Sequence, residues 1–281
     1  MVKLLLAFFL FFTLSFAEEI DTEVQEDLLT KKIKSFIDID VYEKNIEFIE
    51  IIFSPRSNFY FKERIDAVKV LSTLKDNGLL KLFFDKPQEL NLHFKTSGNP
   101  LFFVKLMSDT LRNIGYYRYV TTASELNNAE FTWSIELSSE YATDPQILEK
   151  ELSKSGCKII DIQRDSSTQW VYTVDMVDGF LNIKELEDTQ KINLKRSLYA
   201  YWLNISKIQM LNIVSSSRNN WYPYIAYYDS SLHLLEVIKN DEKMSKISLE
   251  MPKGAKYIKI SDIYTLKNIK DELTLYPSGT R

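Results

Sequence analysis

Two histidines, His93 and His233, are the only imidazoles in a chain of 281 residues, and they stand in different halves of it. Imidazole is the side chain that titrates near neutrality, so hydrolytic triads and zinc centres draw on it. Two histidines with no metal-ligand spacing around either point away from both chemistries. Cys157 is the single cysteine. It has no partner for a disulfide or a C-x-x-C pair, and a reactive thiol needs a helix N-terminus or a facing cation. Lys158 is adjacent but falls on the opposite face of a strand, so Cys157 reads as a small buried hydrophobe. The sequence has no G-x-S-x-G, H-E-x-x-H, Walker-type or dinucleotide motif. Its seven glycines are spread singly, which leaves no loop to cradle a phosphate. Glycoside hydrolysis needs only two carboxylates. The acids toward the C-terminus, Asp229, Glu236, Asp241, Glu242, Glu250 and Asp262, fall in turns or on polar faces, and no pair stands out by its spacing. The expectation is a protein with no catalytic residue, no metal and no cofactor, hence not an enzyme. A carboxylate-dependent envelope hydrolase ranks last among the alternatives.

The residues that do suggest a site are aromatic. Trp221, Tyr222, Tyr224, Tyr227 and Tyr228 cluster, with Tyr199, Tyr201 and Trp202 shortly before them. On a strand Tyr222, Tyr224 and Tyr228 share one face, and Trp221 and Tyr227 share the other with Ile225. One face has to pack inward as core. The outward half forms a flat amphipathic platform on which a sugar ring stacks or a protein partner anchors.

The elements that hold these residues follow from the apolar periodicity. Residues 18–87 read as a helical segment. Val24, Leu28, Ile33 and Ile37 recur at helical spacing, as do Ile46, Ile49 and Phe53, ending at Ser54-Pro55. A third helix is expected from Lys62 to about Leu74, stopped by Asn77-Gly78. Residues 88–178 read as an α/β domain. Leu90, Leu92, Phe94 and Thr96 alternate with polar neighbours as a strand, and Asn99-Pro100 starts a helix that Gly115 closes. Tyr116 to Thr122 returns as a strand. The pattern repeats with Phe131 to Ser138, a helix begun by Asp144-Pro145 and stopped at Gly156, a strand from Cys157 to Arg164, and a further strand from Gln169 to Asp175. Two successive β-α-β units of this kind resemble the ferredoxin-like split β-α-β fold.

Residues 179–195 form a polar connector. From Arg196 the chain, 196–281, reads as an antiparallel β-sandwich or jelly roll, with a strand about every ten to twelve residues. The stretch from Met251 to Ser261 resembles the late strand pair of lectin-like and carbohydrate-binding jelly rolls. The fold class is therefore α+β, with an N-terminal helical segment, a ferredoxin-like domain and a C-terminal sandwich.

Where the chain works is read from its start. Lys3, the uncharged run Leu4 to Phe16 and the Ser15-Phe16-Ala17 site followed by Glu18-Glu19 form a signal peptide over 1–17. Thirteen residues are short for a membrane span, which needs about 20. No cysteine follows the cleavage site to carry a lipid. Lys exceeds Arg several-fold, which points to an AT-rich bacterial genome. The net charge of -4 has both signs interspersed, which excludes a nucleic-acid-binding stripe. The expectation is an exported, periplasmic protein (secreted as second choice) with no transmembrane span after cleavage. It would act as a non-enzymatic interaction or scaffold protein of a bacterial envelope assembly. The alternative is a carbohydrate- or peptidoglycan-binding protein that uses the sandwich.

Overall fold

The computed structural model describes residues 27–281. The expected signal peptide, 1–17, and Val24 lie outside the described residues. Asp27 opens the first helix, α1 (Leu28–Phe36), where its carboxylate accepts the Thr30 N–H at 3.0 Å. Leu29, Ile33 and Phe36, spaced by four and three, bury one face. Helices α2 (Ile39–Lys44) and α3 (Ile46–Ile52) follow. The helix expected from Lys62 starts later. Tyr60–Phe61 (β1) and Arg64–Ile65 (β2) pair around Lys62, whose φ of 57° leaves the right-handed helical region. Asp66 then caps α4 (Ala67–Asp76) by accepting the Lys69 N–H at 3.0 Å.

The α/β unit comprises β3 (Phe83–Thr96), α5 (Pro100–Asn113), β4 (Val120–Asn127), β5 (Glu130–Tyr141), α6 (Pro145–Ser153), β6 (Lys158–Arg164) and β7 (Gln169–Asp175). Both helices begin with a capping side chain and a proline. Asn99 accepts the Phe102 N–H at 3.1 Å, and Asp144 accepts the Gln146 N–H at 2.9 Å. The end of α5 explains why the next strand starts at Val120 and not at Tyr116. Gly115 sits at φ 103° and its N–H bonds to Arg112, while the Tyr116 N–H bonds to Leu111. This Schellman closure engages the Tyr116 amide that a strand would need.

The five strands lie in the order β4-β5-β3-β7-β6. Only the β3–β7 pair is parallel. β7 stands beside β3, so the hairpin β6–β7 places its second strand inward and β6 at the edge. Leu90, Leu92 and Phe94 of β3 are fully buried, with Trp133 and Ile135 of β5 and Phe103, Met107 and Leu111 of α5.

The C-terminal unit has eight strands: β8 (Ile192–Leu194), β9 (Tyr201–Asn204), β10 (Ile208–Ser215), β11 (Pro223–Tyr228), β12 (Leu234–Lys239), β13 (Lys246–Glu250), β14 (Tyr257–Asp262) and β15 (Leu273–Thr280). They form two antiparallel sheets, β13-β10-β15-β8 and β12-β11-β14-β9. The pairing is nested: the first strand with the last, the second with the seventh, the third with the sixth and the fourth with the fifth. Leu211, Ile213, Ile225, Ile258, Ile260 and Leu275 fill one shared core between the sheets. The stretch 179–195, expected as a connector, joins this core. Leu186 and Ile192 are buried in it, and β8 pairs with β15. The charges around these two residues mask a pattern only three residues long. The fold is mixed α+β, and among the described residues no helix is long and apolar enough to cross a membrane.

Candidate binding surfaces

The aromatic cluster divides three ways. Trp221 and Tyr227 point into the sandwich core beside Ile225. The Trp221 indole N–H donates to the Ser261 carbonyl at 2.8 Å. Burial, and the nearby Glu236 carboxylate, push the Tyr227 phenol far above its ordinary pKa. Tyr228 faces the other way and packs on Trp202 at a tilt of 34°, with ring centroids 4.9 Å apart. This end of the sheet meets the α/β unit, where Tyr257 and Leu232 are buried in the α/β core and Trp202 and Tyr228 pack against it. From α5, Lys105 lies 4.9 Å over the Trp202 ring and Arg112 lies 4.6 Å over Tyr199. Asp109 holds both cations, bonding Lys105 and taking the Arg112 guanidinium at 2.5 Å. Burial lowers the pKa of Lys105 against the pull of Asp109. Tyr228 therefore belongs to the joint between the units.

Tyr222 and Tyr224 remain half-buried at the far end of the face. Tyr222 precedes β11 and meets Tyr264 edge-on, with centroids 5.0 Å apart at 84°. Tyr264 is 64% exposed. Tyr224 lies between two ammonium groups, Lys239 at 5.4 Å and Lys259 at 6.0 Å. One buried acid fastens this patch. Asp262 accepts the N–H groups of Tyr222, Tyr264 and Thr265, each at 2.9 Å, and the Asn268 amide at 3.0 Å. Periodicity alone misses Tyr264, which lies in a loop. The available signal is Asp262 at a strand end followed by Thr265, which is turn chemistry.

His93, on the central strand β3, sits opposite Ser134 with Nδ1 2.8 Å from the hydroxyl. Ser134 is on β5, which pairs on both edges, so the ladders engage the amides an oxyanion hole would need. His233 lies in the turn before β12 and not in a strand. Its Nδ1 is 3.0 Å from Asp229, which also accepts the Ser231 and His233 backbone N–H groups. Partial burial raises the Asp229 carboxyl, but these hydrogen bonds outweigh it and leave the pKa below its ordinary value. Of the acids toward the C-terminus, Asp229 and Asp262 thus organise turns. Cys157 is fully buried, and burial pushes its thiol up to about 11. No protein-family model matches the chain, and no curated protein is significantly similar to it.

Proposed function

We propose that the chain is an exported, periplasmic protein that works by non-enzymatic binding within a bacterial envelope assembly. The sequence over 1–17 supports the address. The observation that carries the binding role is α3. Ile49 holds this helix to the core, while Phe48 and Ile51, three apart on its outer side, are 41% and 71% exposed. A helix that offers an aromatic and an aliphatic anchor in this way suits a groove on a protein partner. The test is a photocrosslinker placed at Ile51 in living cells. One defined envelope protein crosslinked at this position and lost with Phe48→Glu is the expected outcome. Crosslinks that do not depend on Phe48, or none, overturn it.

A second reading rests on the sandwich. The nested strand pairing supports reading the sandwich as a jelly roll, and the β-α-β-β-α-β order supports a ferredoxin-like unit to which β7 is added. Jelly rolls host lectins among other functions, and Tyr222, Tyr224 and Tyr264 with Lys239 and Lys259 offer stacking surface and positive charge for a glycan. Tyr224→Ala is expected to abolish sedimentation with cell-wall material while the circular dichroism spectrum is kept. Wild-type protein that stays in the supernatant sinks this reading.

A further inference from the structure

A cleft of about 630 Å³ opens where the ends of α4, α5 and β5 meet the starts of β3 and α6. The volume falls in the range of small-molecule sites. Leu80, Ile114 and Ala142 form its walls. Phe83, Tyr141 and Ile147 line it and are 54%, 59% and 54% exposed.

The polar groups of the cleft are engaged with one another. Asp144 accepts the Gln146 N–H on one oxygen at 2.9 Å and the Lys75 ammonium on the other at 2.9 Å. Lys75 also lies 3.4 Å from Asp76, so two carboxylates balance its charge. The Thr143 hydroxyl donates to the Tyr116 hydroxyl at 3.3 Å, and Tyr116 donates to the Tyr141 carbonyl at 3.4 Å. The Thr143 carbonyl accepts the buried Tyr172 hydroxyl at 3.1 Å. A ligand inside the cleft therefore meets mainly hydrocarbon. Lys81 differs from these groups. It is exposed, its ammonium lies 5.9 Å from the centre of the Phe83 ring, and no carboxylate among the described residues pairs with it.

We infer that this cleft binds a single-chain anionic amphiphile, with its hydrocarbon tail against Leu80, Ile114 and Ala142 and its acid group at Lys81. A sugar or nucleotide needs several free donors and acceptors, and the side chains here are already paired. A cationic amphiphile would meet the Lys81 charge.

Calorimetry on the full chain tests this with decanoate, laurate and myristate below their micellar concentrations, beside laurate methyl ester and dodecyltrimethylammonium. Affinity is expected to rise roughly three- to fourfold per added methylene. The ester is expected to bind at least tenfold more weakly than laurate. Lys81→Glu, on an exposed side chain, should weaken laurate at least tenfold and reverse the preference toward the ammonium compound. Ile147→Asp should lose both, with the melting temperature unchanged as the folding control. Affinity without chain-length dependence overturns the inference. So does laurate binding that Lys81→Glu leaves intact, or binding of an apolar helical peptide but of no amphiphile. Association only with vesicles holding the acid, and not with the free acid, overturns it as well.

Discussion

Asp262 gives the sharpest test of how the open tyrosine patch is built. The carboxylate is 8% exposed and has four donors. Replacing it with alanine leaves all four without an acceptor. Tyr264 and Thr265 are exposed, so their N–H groups can turn to water at about 1 kcal/mol each. Tyr222 and Asn268 are half-buried, so each orphaned donor there costs about 1–2 kcal/mol. Asp262→Ala should therefore destabilise by about 4–6 kcal/mol. Asp262→Asn separates charge from shape. One oxygen serves Tyr264, Thr265 and Asn268, and the other serves Tyr222 alone. An asparagine that keeps its oxygen at the first position turns its NH2 toward the Tyr222 N–H and loses that bond, about 1.5–3 kcal/mol. Urea unfolding followed by tryptophan fluorescence should rank wild type above the asparagine variant and that above the alanine variant. Hydrogen exchange should accelerate in the segments that hold Tyr222 and Tyr264. An alanine variant within about 1 kcal/mol of wild type, with exchange unchanged in both segments, refutes the reasoning.

Three further outcomes are expected. Cys157, buried and with its thiol raised to about 11, should resist alkylation in the native protein at about pH 8 and react at once in denaturant. Gly156→Ala should cost about 2 kcal/mol or more in thermal unfolding, because φ is 71° there and an added Cβ would stand 2.2 Å from the Asp178 carbonyl oxygen. Asp27 bears on acid stability. Partial burial raises its carboxyl, but the Thr30 N–H and the Arg56 guanidinium outweigh that and leave the pKa below its ordinary value. A depressed folded-state pKa stabilises above the unfolded value, about 4, and the effect disappears as pH falls through the lower folded value. Asp27→Asn keeps the cap, so its melting temperature should lie below wild type at about pH 6 and meet it at about pH 2; parallel curves would contradict this assignment.

The parts of the fold legible in the sequence are those set by neighbours along the chain. Asn99-Pro100 and Asp144-Pro145 place their own capping bonds within three residues, and Gly115 closes α5 through its own amide. The alternation of Leu90, Leu92 and Phe94 likewise marks one face of one strand. What escapes is decided at a distance. Nothing near Gln169–Asp175 says that β7 will lie between β3 and β6. Strand parity puts Tyr228 on the face of Tyr224, yet α5 meets that face at the Tyr228 end. The patch at Tyr222 depends on Tyr264, forty-two positions away and brought near by Asp262. The cleft escapes for the same reason, since its walls come from the ends of five elements and no single segment carries its pattern.

The nested pairing of the sandwich also dictates an order of events. β8 has a single neighbouring strand, β15, and β10 has one of its two edges against β15. β15 (Leu273–Thr280) is the last strand of the sandwich to be made, so both wait for it to arrive. Only β11 and β12 find each other early, as an adjacent hairpin. A chain emerging from a ribosome thus has the strands of its α/β sheet paired while its sandwich is still a hairpin with loose flanks, and the α/β core stays open where Leu232 and Tyr257 later close it. During that interval the newly made molecule is vulnerable to proteases and chaperones through its C-terminal third. Loss of β15 would extend that interval indefinitely.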